Sequence, residues 1–223
     1  MINEHSGKLF LKQRIFLFDI TKRAIDIFGS VLLIIIFSPF LSIAAICIKL
    51  GSPGPVIFKQ KRVSQKGEFF MYKFRSMYVG NMDDFLREKY PELWDKYKKS
   101  DWKLPMNEDP RITPIGKILR ATSLDEMPQF INVLRGEMSL VGPRAYRKEE
   151  LLEYEEKYPQ TKKYIKIIRT AKPGITGLWQ TSGRNKLSFE KRAELDANYI
   201  KNRSFRQEFL ILLKTPFSML SVW

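Results

Sequence analysis

No charged residue occurs between Ile27 and Ile48, and the centre of this run reads Val31-Leu32-Leu33-Ile34-Ile35-Ile36-Phe37-Ser38-Pro39-Phe40-Leu41. About 20 apolar residues suffice to cross a bilayer, so the run has the length of a membrane helix. A cleaved signal peptide fits poorly: the segment starts late, is long for such a peptide and shows no small-residue cleavage pattern before Gly51. Ser38-Pro39 at the midpoint argues for a kink or break, because proline removes a backbone donor and clashes with the preceding turn. Lys8, Lys12, Arg14, Lys22 and Arg23 precede the run, and Lys49, Lys59, Lys61, Arg62 and Lys66 follow it. Both flanks therefore have the basic character of cytoplasmic ends. A helix-break-helix that enters and leaves by one face satisfies the proline and the charges together, so a re-entrant element is expected ahead of a span.

The rest of the chain is strongly basic, with 39 Lys+Arg against 24 Asp+Glu and a net charge of +15. Its partner should be polyanionic: nucleic acid, an anionic membrane face or phosphorylated small molecules. Cys47 is the one cysteine and His5 the one histidine. An internal disulfide, a thiolate zinc site, a Ser-His-Asp system and a His-ligated metal are thereby excluded or nearly so. Catalysis would have to run on carboxylates, Lys, Arg and an oxygen-bound metal. At 223 residues the chain should hold one compact domain with appendages, divided here into an N-terminal tail and membrane element at 1–50 and a second unit at 51–223.

Gly51-Ser52-Pro53-Gly54-Pro55 is a stiff exit from the apolar segment. Val56–Val63 and Glu68–Met77 read as the strands of a hairpin around Ser64-Gln65-Lys66-Gly67. Period two puts Phe70, Tyr72 and Phe74 on one face for packing, and Met71, Lys73 and Arg75 on the other, which would offer cations. A solvated basic edge gives the same pattern. Residues 81–105 look like short helical pieces punctuated by Pro91 and Pro105, and 147–158 like an exposed acidic helix. At the C-terminus Phe205, Phe209, Leu210, Leu212, Leu213, Phe217, Leu220 and Trp223 recur at helical intervals around Pro216. A packed core helix and an interfacial helix both fit, and the apolar anchor favours the second.

Thr122-Ser123-Leu124-Asp125-Glu126-Met127-Pro128-Gln129 opens a helix with Met127, Phe130, Ile131 and Leu134 as its buried stripe and Gly136 past its end. Two registers compete. Ser123 as N-cap would complete a capping box with Glu126, whereas Asp125 as N-cap would move Pro128 into the first turn. Either places two carboxylates at a helix N-terminus, which is also what an ordinary cap looks like. Arg111, Arg120, Arg135 and Arg144 lie close by in sequence, and carboxylates among them should stay ionised at neutral pH. Such a pair could coordinate Mg²⁺ and meet a diphosphate, whose oxygens suit arginine's fork. Val141-Gly142-Pro143-Arg144 and Pro173-Gly174-Ile175-Thr176-Gly177 read as tight turns that let backbone approach a ligand.

Taken in order, Lys73-Phe74-Arg75-Ser76-Met77, Asp109-Pro110-Arg111-Ile112-Thr113, Leu119 to Gln129, Ser139 to Arg144 and Pro173 to Gln180 resemble the bacterial sugar transferases, the monotopic phosphoglycosyl transferases. The resemblance runs from about Lys22 to the C-terminus. It implies an α+β fold: a mainly helical, membrane-anchored catalytic domain with a short β-hairpin, a re-entrant helix broken at Ser38-Pro39 and interfacial amphipathic helices. It further implies Mg²⁺-dependent transfer of a sugar-1-phosphate from a UDP-sugar to polyprenyl phosphate, with release of UMP, starting a lipid-linked glycan. Asp125 would be the nucleophile that forms a covalent phosphosugar and a ligand of the metal, and Glu126 would assist the acceptor phosphate. Lys73, Arg75, Arg111, Arg120, Arg144 and Arg184 would bind phosphate or nucleotide, with Asp196 in support. The implied location is the cytoplasmic face of the bacterial inner membrane, with membrane lipids as partners, no nucleic acid, and a homodimer left open. Gly177-Leu178-Trp179-Gln180 resembles members that use plain hexoses such as galactose or glucose. The stretch from about Met82 to Leu104 departs from the smallest members and reads as a surface insertion. Two other classes remain: a non-catalytic membrane-anchored basic adaptor, for which an Asp-Glu pair amid ordered arginines has no purpose, and a glycosyltransferase that releases UDP.

Overall fold

A computed structural model describes residues 4–100, 104–183 and 187–220. Helix α1 (Glu4–Gly51) is followed by the antiparallel hairpin β1 (Ile57–Ser64) and β2 (Gly67–Phe74), then by α2 (Met82–Lys89), α3 (Pro91–Lys99) and α4 (Pro114–Ala121). A 3-10 turn, Leu124–Glu126, leads to α5 (Gln129–Leu134), β3 (Ser139–Val141), α6 (Lys148–Lys157) and α7 (Lys162–Ile168). The chain then continues through β4 (Gly174–Thr176), α8 (Leu178–Thr181), α9 (Phe189–Asn202) and α10 (Phe205–Leu220). The fold is mostly helical, with one hairpin and one long apolar N-terminal helix.

That helix runs through Ser38-Pro39 without leaving the helical state, so the expected break does not interrupt it. The reason is local. Pro39 has no N–H to offer the Ile35 carbonyl four residues back, and the Ser38 hydroxyl donates to that carbonyl at 2.8 Å instead. Phe28, Ile35, Ile36, Phe40 and Ile43 are exposed along the segment. Among the described residues α1 is the one helix long and apolar enough to cross a membrane, by length and composition.

On both sides of the proline α1 is fastened to the folded body. Before it, Arg23 donates to the carbonyls of Val133 and Leu134 at 2.6 and 2.9 Å, capping the end of α5. Asp26 accepts from the Leu140 amide and the Ser139 hydroxyl, both at 3.0 Å, and Lys22 pairs with buried Glu208 of α10 at 2.9 Å. After it, Ala44 and Ile48 pack against Phe74 and Leu119. The end of α1 is held by Arg75, whose guanidinium donates to the carbonyls of Ile48, Ser52 and Pro53 and to the Ser52 hydroxyl.

The hairpin forms at the expected place, with Ser64 opposite Gly67 and Ile57 opposite Phe74. Its faces are used differently from the expectation. Phe69 and Met71 are buried against Val133 and Met138, whereas Phe70 is about half exposed. Of the supposed packing face only Phe74 is buried, because α1 covers that end of the ribbon alone. In α5 the buried apolar residues are Phe130 and Val133, while Ile131 is exposed. Helix α6 buries Leu151 in a cluster with Tyr146, Ile165, Ile168 and Phe189, and leaves Leu152 exposed. Helix α10 buries Ile211 and Glu208 and leaves Phe209, Leu213 and Phe217 exposed, the distribution of a helix with an uncovered apolar face.

Strands β3 and β4 are parallel, Ser139 opposite Gly174 and Val141 opposite Thr176, and this short ladder joins stretches 35 residues apart in sequence. The Gly142 amide donates to the Thr176 carbonyl at 2.9 Å and the Gly174 amide to the Pro143 carbonyl at 2.8 Å. A Cβ on Gly174 would stand 2.1 Å from the Gly142 nitrogen, and one on Gly177 would stand 2.1 Å from the Gly142 oxygen. Only glycine permits this approach.

Candidate active site

A cleft of about 1000 Å³ opens between the hairpin, the 3-10 turn and the β3–β4 loops. Its wall includes Lys73, Arg75, Arg120, Asp125, Glu126 and Arg144, so most of the residues singled out from sequence converge on one space.

The acidic pair sits on the 3-10 turn and not at an α-helix N-terminus. Ser123 adopts φ +55°, and its side chain makes no capping bond. The Ser123 register fails because a residue in the left-handed region does not present its hydroxyl to the following amides, and the Asp125 register fails because Asp125 lies within the 3-10 turn and the α-helix begins only at Gln129. The turn instead closes through backbone bonds, Glu126 amide to Ser123 carbonyl at 3.2 Å and Met127 amide to Leu124 carbonyl at 3.2 Å. Gly136, with φ +77°, ends the helix that follows, as expected. Asp125 is buried while Glu126 turns to Lys73, whose Nζ lies 2.7 Å from Glu126 Oε1. Burial, as the largest influence, pushes the Asp125 carboxyl up to about 6; Lys73 and Arg120 oppose the rise and Glu126 adds to it. The expected ionisation at neutral pH agrees with this value, although burial and not the helix end is the largest influence on it. Asp125 is ionised at neutral pH, yet with its charge poorly solvated.

Arg120 is delivered by a tight junction. The Thr113 amide donates to the Ser76 carbonyl at 3.1 Å, and the Thr113 hydroxyl caps α4 by accepting from the Gly116 amide at 2.9 Å. A Cβ at Gly116 would lie 2.0 Å from the Ser76 oxygen, so α4 can pass against β2's exit only with glycine there. One turn later Arg120 Nε reaches the Ser76 hydroxyl at 2.9 Å. Burial lowers its pKa, but an arginine remains cationic.

Two of the expected phosphate ligands have other commitments. Arg75 lines the cleft, but its guanidinium holds the end of α1 as described above. Arg111 is bound bidentately by Asp109 at 2.8 and 2.9 Å, paired with Asp83 at 2.8 Å and stacked over Tyr97 at 4.2 Å. It does not line the cleft, although Asp83 does. Arg184 lies outside the described residues. Asp196 is fully buried behind the wall, where it accepts from the Arg144 amide at 3.0 Å and from the Tyr146 hydroxyl at 3.4 Å; burial pushes its carboxyl up to about 7. It shapes the Arg144 loop without facing the cleft.

Arg62 was missed as a site residue. Register places it with Phe58 and Gln60 on the face that carries Lys73, so parity along β1 was the signal. Trp179 completes the far wall, with the guanidinium of Arg144 5.4 Å from its ring and that of Arg192 5.6 Å from it.

A buried acidic turn thus faces a cationic cleft beside a long apolar helix. The sequence matches the bacterial sugar transferase family over residues 17–222, and the chain belongs to that family. It is 41% identical over 197 residues to the undecaprenyl-phosphate galactose phosphotransferase of Salmonella typhimurium, covering 87% of this chain and 39% of that protein. It is 39% identical over 202 residues to the UDP-glucose:undecaprenyl-phosphate glucose-1-phosphate transferase of Escherichia coli, with 88% and 39% covered. The exopolysaccharide production protein ExoY of Sinorhizobium fredii is 35% identical over 197 residues, with 88% and 84% covered. The chain thus spans about two-fifths of the length of the first two relatives and most of the third.

Proposed function

We propose that the chain transfers a sugar-1-phosphate from a UDP-sugar to polyprenyl phosphate, releasing UMP, with Asp125 as nucleophile. The observation that carries this reading is the contrast within the acidic pair: Glu126 holds Lys73, while Asp125 is buried at the cleft with its carboxyl raised to about 6. A weakly solvated carboxylate is the better nucleophile, and the cations around it meet an incoming diphosphate. In the first step an Asp125 oxygen bonds to the sugar-bearing phosphorus. The phosphoanhydride bond breaks, and UMP leaves with the bridging oxygen and the electron pair. In the second step an oxygen of the polyprenyl phosphate attacks the same phosphorus, and the Asp125 carboxylate is released unchanged. Lys73 and Arg120 neutralise the phosphoryl oxygens, and Glu126 orients the acceptor phosphate through Lys73.

Among the described residues no cluster of three or more His, Cys, Asp or Glu converges. A magnesium ion would therefore take at most Asp125 and Glu126 from the protein and its other ligands from water and phosphate, the pattern Mg²⁺ usually adopts, so the residues fit it. When bound, it would supply charge neutralisation on the diphosphate. α1 is not broken at Pro39, but its fastening to one body on both sides of the proline keeps both basic flanks together and supports an anchor at the cytoplasmic face of the inner membrane that does not span it. The names of the relatives favour galactose or glucose as the sugar.

The test is nucleotide release by detergent-purified protein with Mg²⁺, polyprenyl phosphate and a panel of UDP-sugars, beside Asp125→Asn. UMP formed with one sugar and lost in the variant is the expected result. Release of UDP would indicate simple glycosyl transfer, and silence with every nucleotide donor tried would favour the non-catalytic adaptor.

A further inference from the structure

Besides the acidic pair, the described wall of the cleft contains one further carboxylate, Asp83 of α2, and the steps above do not use it. Its neighbour Asp84 is an ordinary first-turn acid, tied locally to Asn81 and Arg87. Asp83 is instead fastened across the fold: its Oδ1 accepts from Arg111 Nη1 at 2.8 Å, 28 residues away. Arg111 is buried and cannot swing, because Asp109 holds its Nε and Nη2 and Tyr97 lies against its plane. The Asp83 side chain is nonetheless 56% exposed, and among the described residues its Oδ2 has no partner. One carboxylate oxygen is thus fixed by protein while the other is offered to the cleft. Charge selects what it can meet. Asp83, Asp109 and Arg111 together hold two carboxylates and one cation, so their surplus is negative. Arg120, whose pKa burial lowers most, interacts with Asp125 and also with Asp109 and Arg111, which puts this set next to the reaction centre. Diphosphate oxygens are repelled here, and the part of a substrate that reaches Asp83 must be uncharged and rich in O–H donors. Adjacent hydroxyls on a ring are such donors, and an ionised carboxylate is their strong acceptor. Tyr78 and Val79, both exposed and both on the cleft wall, offer apolar surface to the ring itself.

We propose that Asp83, held in place by Arg111, is a specificity-determining residue that binds a vicinal diol of the donor. It gives the segment at 81–105, which carries no chemistry legible in sequence, a part in substrate choice. The ligand rests on the transferase reading: a UDP-sugar presents such a diol on its ribose and on its hexose.

Equilibrium binding in the Asp125→Asn background tests this without turnover. UMP is compared with deoxyuridine monophosphate, and UDP-glucose and UDP-galactose with forms that lack one hexose hydroxyl, before and after Asp83→Asn. Asparagine would give its oxygen to Arg111 and turn its NH₂ to the cleft, replacing an acceptor by a donor. A preference of about tenfold or more for the hydroxylated ligand, erased by Asp83→Asn, is the expected result. It names the ring: ribose if the UMP pair shows it, hexose if the UDP-sugar pairs do. Three results overturn the proposal and leave the transferase reading standing: nucleotide binding with no such preference, a preference that survives Asp83→Asn, and loss of both preferences, which one carboxylate oxygen does not explain. No nucleotide binding before the substitution overturns both. Inorganic pyrophosphate gives a test of sign. It has no diol, so removing a negative charge from the cleft should leave its affinity unchanged or raise it. Weaker pyrophosphate binding would make Asp83 a structural support of the cleft and overturn the role given to it. Thermal unfolding reports whether Asp83→Asn is folded; if it is not, Asp83→Ala is read by the same criteria.

Discussion

Lys73 Nζ and Glu126 Oε1 are 2.7 Å apart, so the lysine that faces the candidate nucleophile is anchored by the nucleophile's neighbour. Lys73→Met would remove a cation that lowers the Asp125 pKa and would break the ion pair with Glu126. Turnover should fall about 10²- to 10³-fold, the magnitude for losing one preorganised charge in a closed site. Initial rates of UMP release at saturating donor would show it, and a rate within threefold of the parent would contradict the role given to Lys73.

Asp125 should set an acid limb. The nucleophile must be ionised, so kcat/KM for the donor should rise with pH through about 6 and level off above it.

The same shift has a stability sign. The folded pKa, about 6, exceeds the ordinary 3.8, so the cost of burying the charge is absent below pH 4, develops between 4 and 6 and is complete above 6. Asp125→Asn should therefore stabilise the protein at neutral pH by about 2–3 kcal/mol, with the gain vanishing below pH 4. Thermal unfolding across that range with a chelator present measures it; a gain that grows on acidification would reverse the assignment.

Ser123 occupies a left-handed conformation that glycine adopts freely. Ser123→Gly should leave stability within about 0.5 kcal/mol of the parent or raise it, whereas Ser123→Val should cost about 1–3 kcal/mol and misplace the Asp125 turn. Denaturant midpoints of the two variants decide the matter.

Arg75→Ala would leave the acceptors at the end of α1 without their donor. A loss of about 3 kcal/mol is expected, since bonds to a charged group are each worth about 1.5–3 kcal/mol, and Arg75→Lys should not restore it because lysine lacks the fork. Folded yield and unfolding midpoint in detergent are the readouts. An Arg75→Ala protein of parental stability but poor donor binding would return Arg75 to the substrate.

The residues that were legible in sequence are those whose partners are near or periodic. The hairpin followed from alternation and Gly67, the end of α5 from Gly136, and the short pieces α2 and α3 from Pro91. The acidic pair was found, but its setting was not, because Ser123-Leu124-Asp125-Glu126 fits a capping pattern whose failure depends on one backbone angle. Arginines were assigned to phosphate by residue type and by the resemblance of their motifs, neither of which shows what else they hold. Which of them are free is decided by distant groups: Asp83 for Arg111, and the carbonyls of Ile48 and Ser52 for Arg75. Arg62 passed for a flanking positive charge because its face depends on strand register.

The interlocked glycines of the β3–β4 ladder make two distant stretches of sequence a single heritable part. Gly142 meets the backbone of Gly174, and Gly177 meets that of Gly142, so a side chain at any of the three collides with main chain that no neighbouring substitution can trim away. Recombination between relatives should therefore succeed when Ser139–Arg144 and Pro173–Gln180 are exchanged as a matched pair, and should fail when a crossover separates stretches whose loop geometries differ.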